Sequence, residues 1–157
     1  MPTQGWVKLN TDGASKGERK LAGCGGLLRG YGGEWIGGFT KRLGVCSAIK
    51  AELWGVLTGL QVAKRCNLDC IIVECDSKAV VQMLKILQVE GSSESDPKLL
   101  SEVYCALQMF SRVVCRHVHR EGNSCADFLA NLSLSQEDVF VYFVSPPGAI
   151  IDFLYRE

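Results

Sequence analysis

The chain has 157 residues, with 17 Lys and Arg balanced by 17 Asp and Glu. This length predicts a single domain that buries about two-thirds of its unfolded surface, and the balanced charge excludes a protein that binds nucleic acid through an overall basic surface. Eight cysteines occur without a CxxC pair, most of them in apolar runs, so we expect free thiols and neither a disulfide framework nor a zinc site. No apolar run is long enough to span a bilayer, and we expect a soluble intracellular protein of the nucleus or cytoplasm.

The first predicted strand carries an acid. Apolar and polar side chains alternate over residues 6–12, which is strand periodicity, and Asp12 is expected at the end of this strand. The pair Asp12-Gly13 is also common turn chemistry, and taken alone that interpretation is the stronger one. The acids that follow in the chain decide between the two.

Two more strands, at residues 21–29 and 34–41, are predicted to complete an antiparallel meander. The second strand is rich in glycine, and glycines in a strand mark a bulge or the close approach of another backbone. A nucleotide-binding role for Gly23, Gly25 and Gly26 is not favoured, because no helix N-terminus follows them.

The clearest predicted helix covers residues 47–65, with Ser47 as its N-cap. Glu52 lies beside its apolar stripe, and Gly55 and Gly59 leave little bulk on the same side, so we expect the helix to approach the sheet closely and carry Glu52 toward it. The alternative for Glu52 is a solvated position at the flank of the helix. The stripe itself consists of Ile49, Leu53, Val56, Leu57, Leu60 and Ala63.

A nearly continuous apolar run over residues 70–76 predicts a central strand that ends at Asp76. With the preceding helix as a crossover, this strand lies parallel to the first one. Asp12 and Asp76 are then expected at the carboxyl ends of neighbouring parallel strands, where open α/β sheets bind their ligands. Asp76 could instead be the N-cap of the next helix, a position that Ser77 fills equally well.

The second half of the chain predicts more helices and a fifth strand. Helices are predicted at residues 77–87 and 97–110, and a strand at residues 112–118. A further helix is capped by Asn123 or Ser124 and has Asp127 in its first turn, where the helix dipole alone would favour an anion. We interpret residues 136–157 as an appendage that packs on the domain and has no chemistry.

The order of these acids (strand Asp, helix Glu, strand Asp, helix Asp) resembles type I of the ribonuclease H family. The motifs that carry the resemblance are Asn10-Thr11-Asp12-Gly13-Ala14, Ala51-Glu52-Leu53, Glu74-Cys75-Asp76-Ser77 and the run from Arg120 to Asp127. The opening from Gly5 and the Pro146-Pro147 segment look most like the plant branch, the reverse-transcriptase-like domains of non-LTR retroelements.

The resemblance implies an α/β, ribonuclease H-like fold. Its five-stranded mixed sheet would have strands 1–3 antiparallel and strands 4 and 5 parallel to strand 1, flanked by helices. A single domain over residues 1–157 is expected, with a core at about residues 5–135.

The implied activity is that of an Mg²⁺-dependent endoribonuclease that cuts the RNA strand of an RNA–DNA hybrid and leaves a 3′-hydroxyl and a 5′-phosphate. By resemblance, Asp12, Glu52, Asp76 and Asp127 would hold two Mg²⁺ ions, with Mn²⁺ as a substitute and Asp12 as the bridging ligand. We expect a monomer that binds hybrid and no membrane. The start of the chain almost directly before a strand is expected for a piece of a longer polyprotein.

The resemblance implies further residues around these acids. A histidine in the loop before the last acid assists many members; His119 is assigned to this role, with His117 as the alternative. Ala48 and Ile49 replace the Asn residues common in type I, and a basic protrusion after the second helix is missing, so affinity is expected to be modest and salt-sensitive. Backbone near Gly13 would read the 2′-hydroxyl. The expected substrate contacts are Gly13, Ala14, Ser15, Lys16, Ser77, Arg120 and Asn123.

Two other functions stay open at this point. A non-catalytic relative would keep the fold and bind nucleic acid or a protein partner. A 3′–5′ exonuclease would share only the wider superfamily fold. The four clustered carboxylates argue against the first alternative, and the antiparallel meander with the Ala51-Glu52-Leu53 helix argues against the second.

Overall fold

The computed structural model describes residues 5–157, so the first four residues of the predicted domain lie outside the described residues. Within this range the chain forms one mixed sheet with helices on both faces. The strands are β1 Val7–Lys16, β2 Leu21–Arg29, β3 Trp35–Val45, β4 Cys70–Cys75, β5 Arg112–His117 and β6 Phe140–Phe143. The helices are α1 Ala48–Arg65, α2 Lys78–Glu90, α3 Lys98–Gln108, α4 Ser124–Ser133 and α5 Ile151–Arg156.

The strands lie in the order β5-β4-β1-β2-β3-β6 across the sheet. β1, β2 and β3 form the antiparallel meander, β4 pairs parallel with β1, and β5 pairs parallel with β4. The 18 residues of α1 carry the chain from the meander back to β4, which a parallel connection requires. The predicted α/β fold is therefore confirmed.

The sheet has six strands rather than the five predicted. β6 pairs antiparallel with β3, from Gly38 opposite Phe143 to Lys41 opposite Phe140. β3 would otherwise be an edge strand with unpaired N–H and C=O groups, and β6 supplies their partners. The interpretation of residues 136–157 as a mere packing appendage is therefore wrong, because part of this segment belongs to the sheet.

Two apolar clusters, one on each face of the sheet, hold the helices in place. α1, α2 and α3 cover one face and α4 the other. The smaller cluster lies under α4 and includes Leu27 of β2, Leu129 of α4 and Ile150 from the C-terminal segment, each fully buried. The C-terminal segment thus covers α4 from outside.

Helix α1 approaches β1 as closely as its glycines predict. A Cβ atom on Gly55 would lie 3.0 Å from the carbonyl oxygen of Asp12, and one on Gly59 would lie 2.8 Å from the side chain of Leu9. Ile49, predicted as a core residue, is 43% exposed. Its turn is exposed as a whole, and burial along α1 begins only at Ala51.

The glycines of β2 serve an equally close approach on the other face. A Cβ atom on Gly25 would lie 2.6 Å from the backbone nitrogen of Ala130 in α4. We expect Gly25→Ala to lower the free energy of unfolding by about 3 kcal/mol, because the helix backbone must move to make room. Urea unfolding measures the change. Gly122→Ala is the matched control, since its Cβ would meet no atom within 4 Å; equal effects of the two substitutions would contradict this account.

All eight cysteines lie within the described residues and none forms a disulfide bond, as predicted.

Over residues 5–157, none of the helices combines the length and apolar character that crossing a bilayer requires.

Candidate active site

Asp12 lies inside β1 and not at its end. The strand continues to Lys16, and Asp12 is paired with Gly25 of β2, so the turn interpretation of Asp12-Gly13 is wrong. The pairing of β1 with β4, however, stops at Asn10 opposite Glu74. Asp12 therefore lies where these two parallel strands separate, which opens the space into which ligands bind in such sheets.

Glu52 comes to the same place from α1. A Cβ atom on Gly13 would lie 2.5 Å from the backbone nitrogen of Glu52, so the absence of a side chain at Gly13 is what lets the helix touch the strand here. The Glu52 carboxyl group lies close enough to Asp12 to raise its pKa, and Oδ1 of Asp12 accepts from the backbone N–H of Gly13 at 2.9 Å. The solvated position considered for Glu52 is thereby excluded.

Asp76 follows β4 directly. The N-cap of α2 is Ser77, whose Oγ accepts from the backbone N–H of Val80 at 3.3 Å, and so Asp76 is not needed as a cap. One ligand atom each from Glu52, Cys75 and Asp76 lies within 4.8 Å of the others. The Cys75 thiol donates to Oε2 of Glu52 at 3.6 Å.

The pKa values of Asp12, Glu52 and Asp76 are all raised, and burial is the largest cause in each case. Burial is the largest cause of the raised pKa of Asp12, and the hydrogen bond and charge of Glu52 and the charge of Asp76 add to it. Burial also raises the pKa of Glu52 and of Asp76, with Asp76 adding to the shift at Glu52. Ionising these buried carboxyl groups is therefore costly, and a bound cation would lower that cost.

Asp127 and Arg120 face the same group of acids. The charge of Asp127 raises the pKa of Asp76, whereas the Arg120 guanidinium lowers it. Asp127 is half-buried in the first turn of α4, and its Oδ1 accepts from Nδ2 of Asn131 at 3.3 Å. The charge of Asp127 therefore acts on Asp76, and the role of Asp127 as a fourth metal ligand stays a prediction.

The two histidines lie beside Asp76. Nε2 of His117 is 3.2 Å from the backbone oxygen of Asp76, and the His117 and His119 rings meet edge to face with their centroids 5.8 Å apart. His117 belongs to β5 and is half-buried, whereas His119 is exposed in the following loop. Exposure is what a mobile catalytic group needs, so the assignment of His119 stays a prediction.

Most of the predicted substrate contacts lie near the acids, but several are already engaged. Residues 13–16 belong to β1 and not to a loop, and the Ser15 hydroxyl donates to the backbone oxygen of Cys46 at 2.9 Å. Ala14 is buried, while Lys16 and Arg120 are exposed. The Ser77 hydroxyl serves as the α2 cap, and its backbone N–H donates to the sulfur of Cys75 at 3.4 Å.

Asn123 does not support its predicted role as a substrate contact. Its side chain is fully buried. It donates to the backbone oxygen of Thr11 at 3.0 Å and accepts from Nδ2 of Asn10 at 3.0 Å. Asn123 therefore ties the loop before α4 to β1, beside Asp12.

A buried polar network behind the acids escaped the sequence analysis. Nδ2 of Asn10 donates to Oε1 of Glu74 at 3.1 Å, and Glu74 also pairs with Arg116 at 2.6 Å. Arg29 pairs with Glu157 at 2.7 Å, with both side chains almost wholly buried. The one signal in the sequence was Glu74, a charged residue within an otherwise apolar central strand.

With this geometry in view, the relationship to known proteins is clear. A family model described as reverse transcriptase-like matches residues 10–133, which contain all four acids. The chain belongs to this ribonuclease H family. The predicted resemblance is thereby confirmed.

Individual members of the ribonuclease H family are similar over most of this chain. An Arabidopsis thaliana protein named "Putative ribonuclease H protein" is 43% identical over 99% of the chain, which spans 25% of that protein's length. The N-terminal RNase H domain of a Mycobacterium tuberculosis protein is 26% identical, with a TM-score of 0.72 over 82% of this chain and 93% of that one. LC11-RNase H1, solved in complex with an RNA/DNA hybrid, is 20% identical, with a TM-score of 0.68 over 82% of this chain and 96% of that one.

Proposed function

We propose that this domain is an Mg²⁺-dependent ribonuclease H that hydrolyses the RNA strand of RNA–DNA hybrids internally, leaving a 3′-hydroxyl and a 5′-phosphate. The observation that carries the proposal is the meeting of three carboxyl groups from three separate elements, Asp12 from β1, Glu52 from α1 and Asp76 after β4, with Asp127 facing them from α4. The similarity to proteins named as ribonucleases H supports it, as does the complex of LC11-RNase H1 with a hybrid.

The donor set fits a hard divalent cation. Its members are carboxylate oxygens, the ligands that Mg²⁺ prefers, and Mn²⁺ is expected to substitute. The raised pKa of buried Asp12 shows that the protein alone leaves this negative charge uncompensated. Asp12, Glu52, Asp76 and Asp127 would hold the metal, which when bound activates water and neutralises charge on the leaving group.

The residues around the acids have separate tasks in this proposal. Gly13 lets α1 pack against β1, and the hydrogen bonds of Asn123 hold β1 from the other side. These contacts fix the Asp12 carboxyl group before substrate binds. Arg120, exposed beside Asp76, is placed to contact a phosphate of the hybrid. His119 would exchange protons or assist product release from the adjacent loop. The backbone of β1 after Asp12 would contact the ribose 2′-hydroxyl, the group that distinguishes RNA from DNA.

The proposal extends to the context of the domain. The chain spans a quarter of the length of its Arabidopsis relative, and we propose that it acts as one domain of a longer protein, whose predicted core at about residues 5–135 is extended by β6 and Ile150. It would act as a monomer, since the acids all come from one chain.

An assay with end-labelled substrates tests the function. The domain is incubated with Mg²⁺ and an RNA–DNA hybrid, with RNA–RNA and DNA–DNA duplexes as controls. Asp76→Asn serves as the inactive blank, and Asp152→Asn, which removes an exposed acid in α5, as the matched control. We expect internal cuts confined to the RNA strand of the hybrid. No cleavage would favour a non-catalytic binding domain, and trimming from the ends would favour an exonuclease; either result overturns the proposal.

A further inference from the structure

Helix α4, which carries Asp127, is not capped by its own N-cap residue. Asn123 occupies that position but makes no side-chain cap hydrogen bond, because its amide is engaged with β1. The hydroxyl of Ser124 donates to the backbone oxygen of Glu121 at 3.1 Å and is not a cap either. The first N–H groups of a helix need acceptors, so this helix requires one from elsewhere in the fold.

The missing acceptor is the side chain of Glu157, 32 residues further along the chain. The backbone N–H of Cys125 donates to its Oε1 at 2.9 Å. A carboxylate at this end of a helix both accepts the hydrogen bond and opposes the positive end of the helix dipole. Cys125 lies two residues before Asp127, so the contact fixes the very turn from which Asp127 projects.

The other oxygen of Glu157 anchors this cap to the sheet. Its Oε2 accepts from Arg29 of β2 at 2.7 Å, and the two side chains are 2% and 3% exposed. Arg29 also lies 3.5 Å from Oδ1 of Asn10, whose amide nitrogen donates to Asn123. The Nε atom of Arg29 is buried and has no acceptor among residues 5–157. The guanidinium is therefore oriented to reach Glu157 and Asn10 although its Nε–H stays unpaired.

The rest of the C-terminal segment holds Glu157 against α4. Ile150 is fully buried in the cluster under α4, and the Phe153 ring packs on Phe128 with centroids 6.2 Å apart. The segment thus makes an apolar contact with α4 and a polar contact with its N-terminus. The polar contact also includes Arg29 of β2, the strand paired with β1, which carries Asp12.

We propose that Glu157 is a positioning residue of the candidate active site: paired with Arg29, it caps α4 and so fixes Asp127 for the metal that Asp12, Glu52 and Asp76 share. The proposal rests on the proposed metal-dependent function. It assigns to the C-terminal segment a role in the chemistry that apolar packing alone does not have. The role is indirect, because Glu157 touches Arg29 and the Cys125 N–H and none of the four acids is among its partners.

The test is an Mg²⁺ titration observed by NMR. The chemical shift of the side-chain carboxyl carbon of Asp127 reports on metal binding at that residue. Glu157→Ala removes both contacts, whereas Glu157→Gln keeps an acceptor oxygen and removes the charge. Asp152→Asn is the charge control in the same segment. Phe153→Leu is the packing control, since it weakens the apolar contact and leaves Glu157 in place. All proteins are compared below the melting temperature of the least stable one.

We expect the Mg²⁺ concentration for half-saturation at Asp127 to rise about tenfold in Glu157→Ala, as is usual when a partner behind a metal ligand is lost, and to rise less in Glu157→Gln. Neither control should change it, even where Phe153→Leu lowers the melting temperature as much. With Asp127→Asn as background, Glu157→Ala should leave the Mg²⁺ response at Asp76 unchanged, because no ligand on α4 remains to be positioned.

Two results would overturn the proposal, and they differ from failure of the function. An unchanged half-saturation in both Glu157 variants would leave Glu157 as a structural cap only. An equal rise in Phe153→Leu would show that general loosening of α4, and not the cap, is responsible. If the wild-type carboxyl signals ignore Mg²⁺ altogether, the metal-dependent function itself fails, and the positioning role with it.

Discussion

Asp12→Asn is expected to lower kcat for hybrid cleavage by about a hundred- to a thousandfold, the loss typical when one preorganised group that stabilises the transition state is removed. Asp12 is the residue on which the charges of Glu52 and Asp76 converge, and an amide there keeps the shape but not the charge. Initial rates on labelled hybrid at saturating Mg²⁺ measure the effect. Glu94→Gln, an exposed acid in the connection between α2 and α3, should leave the rate unchanged.

The same substitution should stabilise the metal-free protein. Folding raises the pKa of Asp12, so at neutral pH this residue lowers the free energy of unfolding. An amide has no charge to bury and removes this unfavourable contribution. We expect the free energy of unfolding to rise by about 1–3 kcal/mol, since each pKa unit corresponds to about 1.4 kcal/mol. Loss of both activity and stability would indicate misfolding, and retention of more than a tenth of the activity would contradict the role of Asp12.

Mg²⁺ is expected to raise the melting temperature, and to raise it more at about pH 8 than at about pH 5. The pKa values of Asp12, Glu52 and Asp76 are all higher in the folded protein than in model peptides. The folded metal-free protein thus binds more protons than the unfolded chain. Its stability from these groups is fully present below pH 4 or so, where the unfolded carboxyl groups titrate, and is lost as the pH rises through the folded values.

Mg²⁺ and protons compete for the same carboxyl groups. The contribution of Mg²⁺ to the free energy of unfolding therefore grows as the pH rises and the protons dissociate. At about ten times its Kd, Mg²⁺ should add about 1.4 kcal/mol, or roughly 3–6 °C for a domain of this size. Scanning calorimetry with Mg²⁺ or with a chelator, at both pH values, provides the measurement. Asp12→Asn is the control and should flatten both the pH dependence and the Mg²⁺ response; a shift of equal size at both pH values, or none, would contradict the clustering of the acids.

Local patterning predicted the positions of Asp12, Glu52 and Asp76, whereas the role of Asp127 was implied by the resemblance to the family. Alternation placed Asp12 on a strand, an apolar stripe placed Glu52 on a helix, and an apolar run ended at Asp76. Gly55 and Gly59 predicted the contact between α1 and β1, since a helix carries two such glycines at a cost. These features involve neighbours a few residues apart, and so the sequence contains them directly.

Other features depend on pairings between distant segments, which local patterning does not report. β1 continues past Asp12 because β2 pairs with it on one side after β4 has separated on the other. β6 joins the sheet by pairing with β3 from Gly38 to Lys41, a segment far from it along the chain. The burial of Asn123, predicted to contact substrate, follows from its partners Asn10 and Thr11, more than a hundred residues away.

The sequence by itself therefore predicted the order of the elements from β1 to α4, the four candidate acids and the family to which they point. The tertiary structure alone decided that Asp12 lies at the separation of two parallel strands and that the cap of α4 comes from Glu157. The physical reason is that hydrophobic periodicity is a property of each helix or strand by itself. A buried charge such as Glu157, in contrast, is stable only where the complete fold supplies its partners.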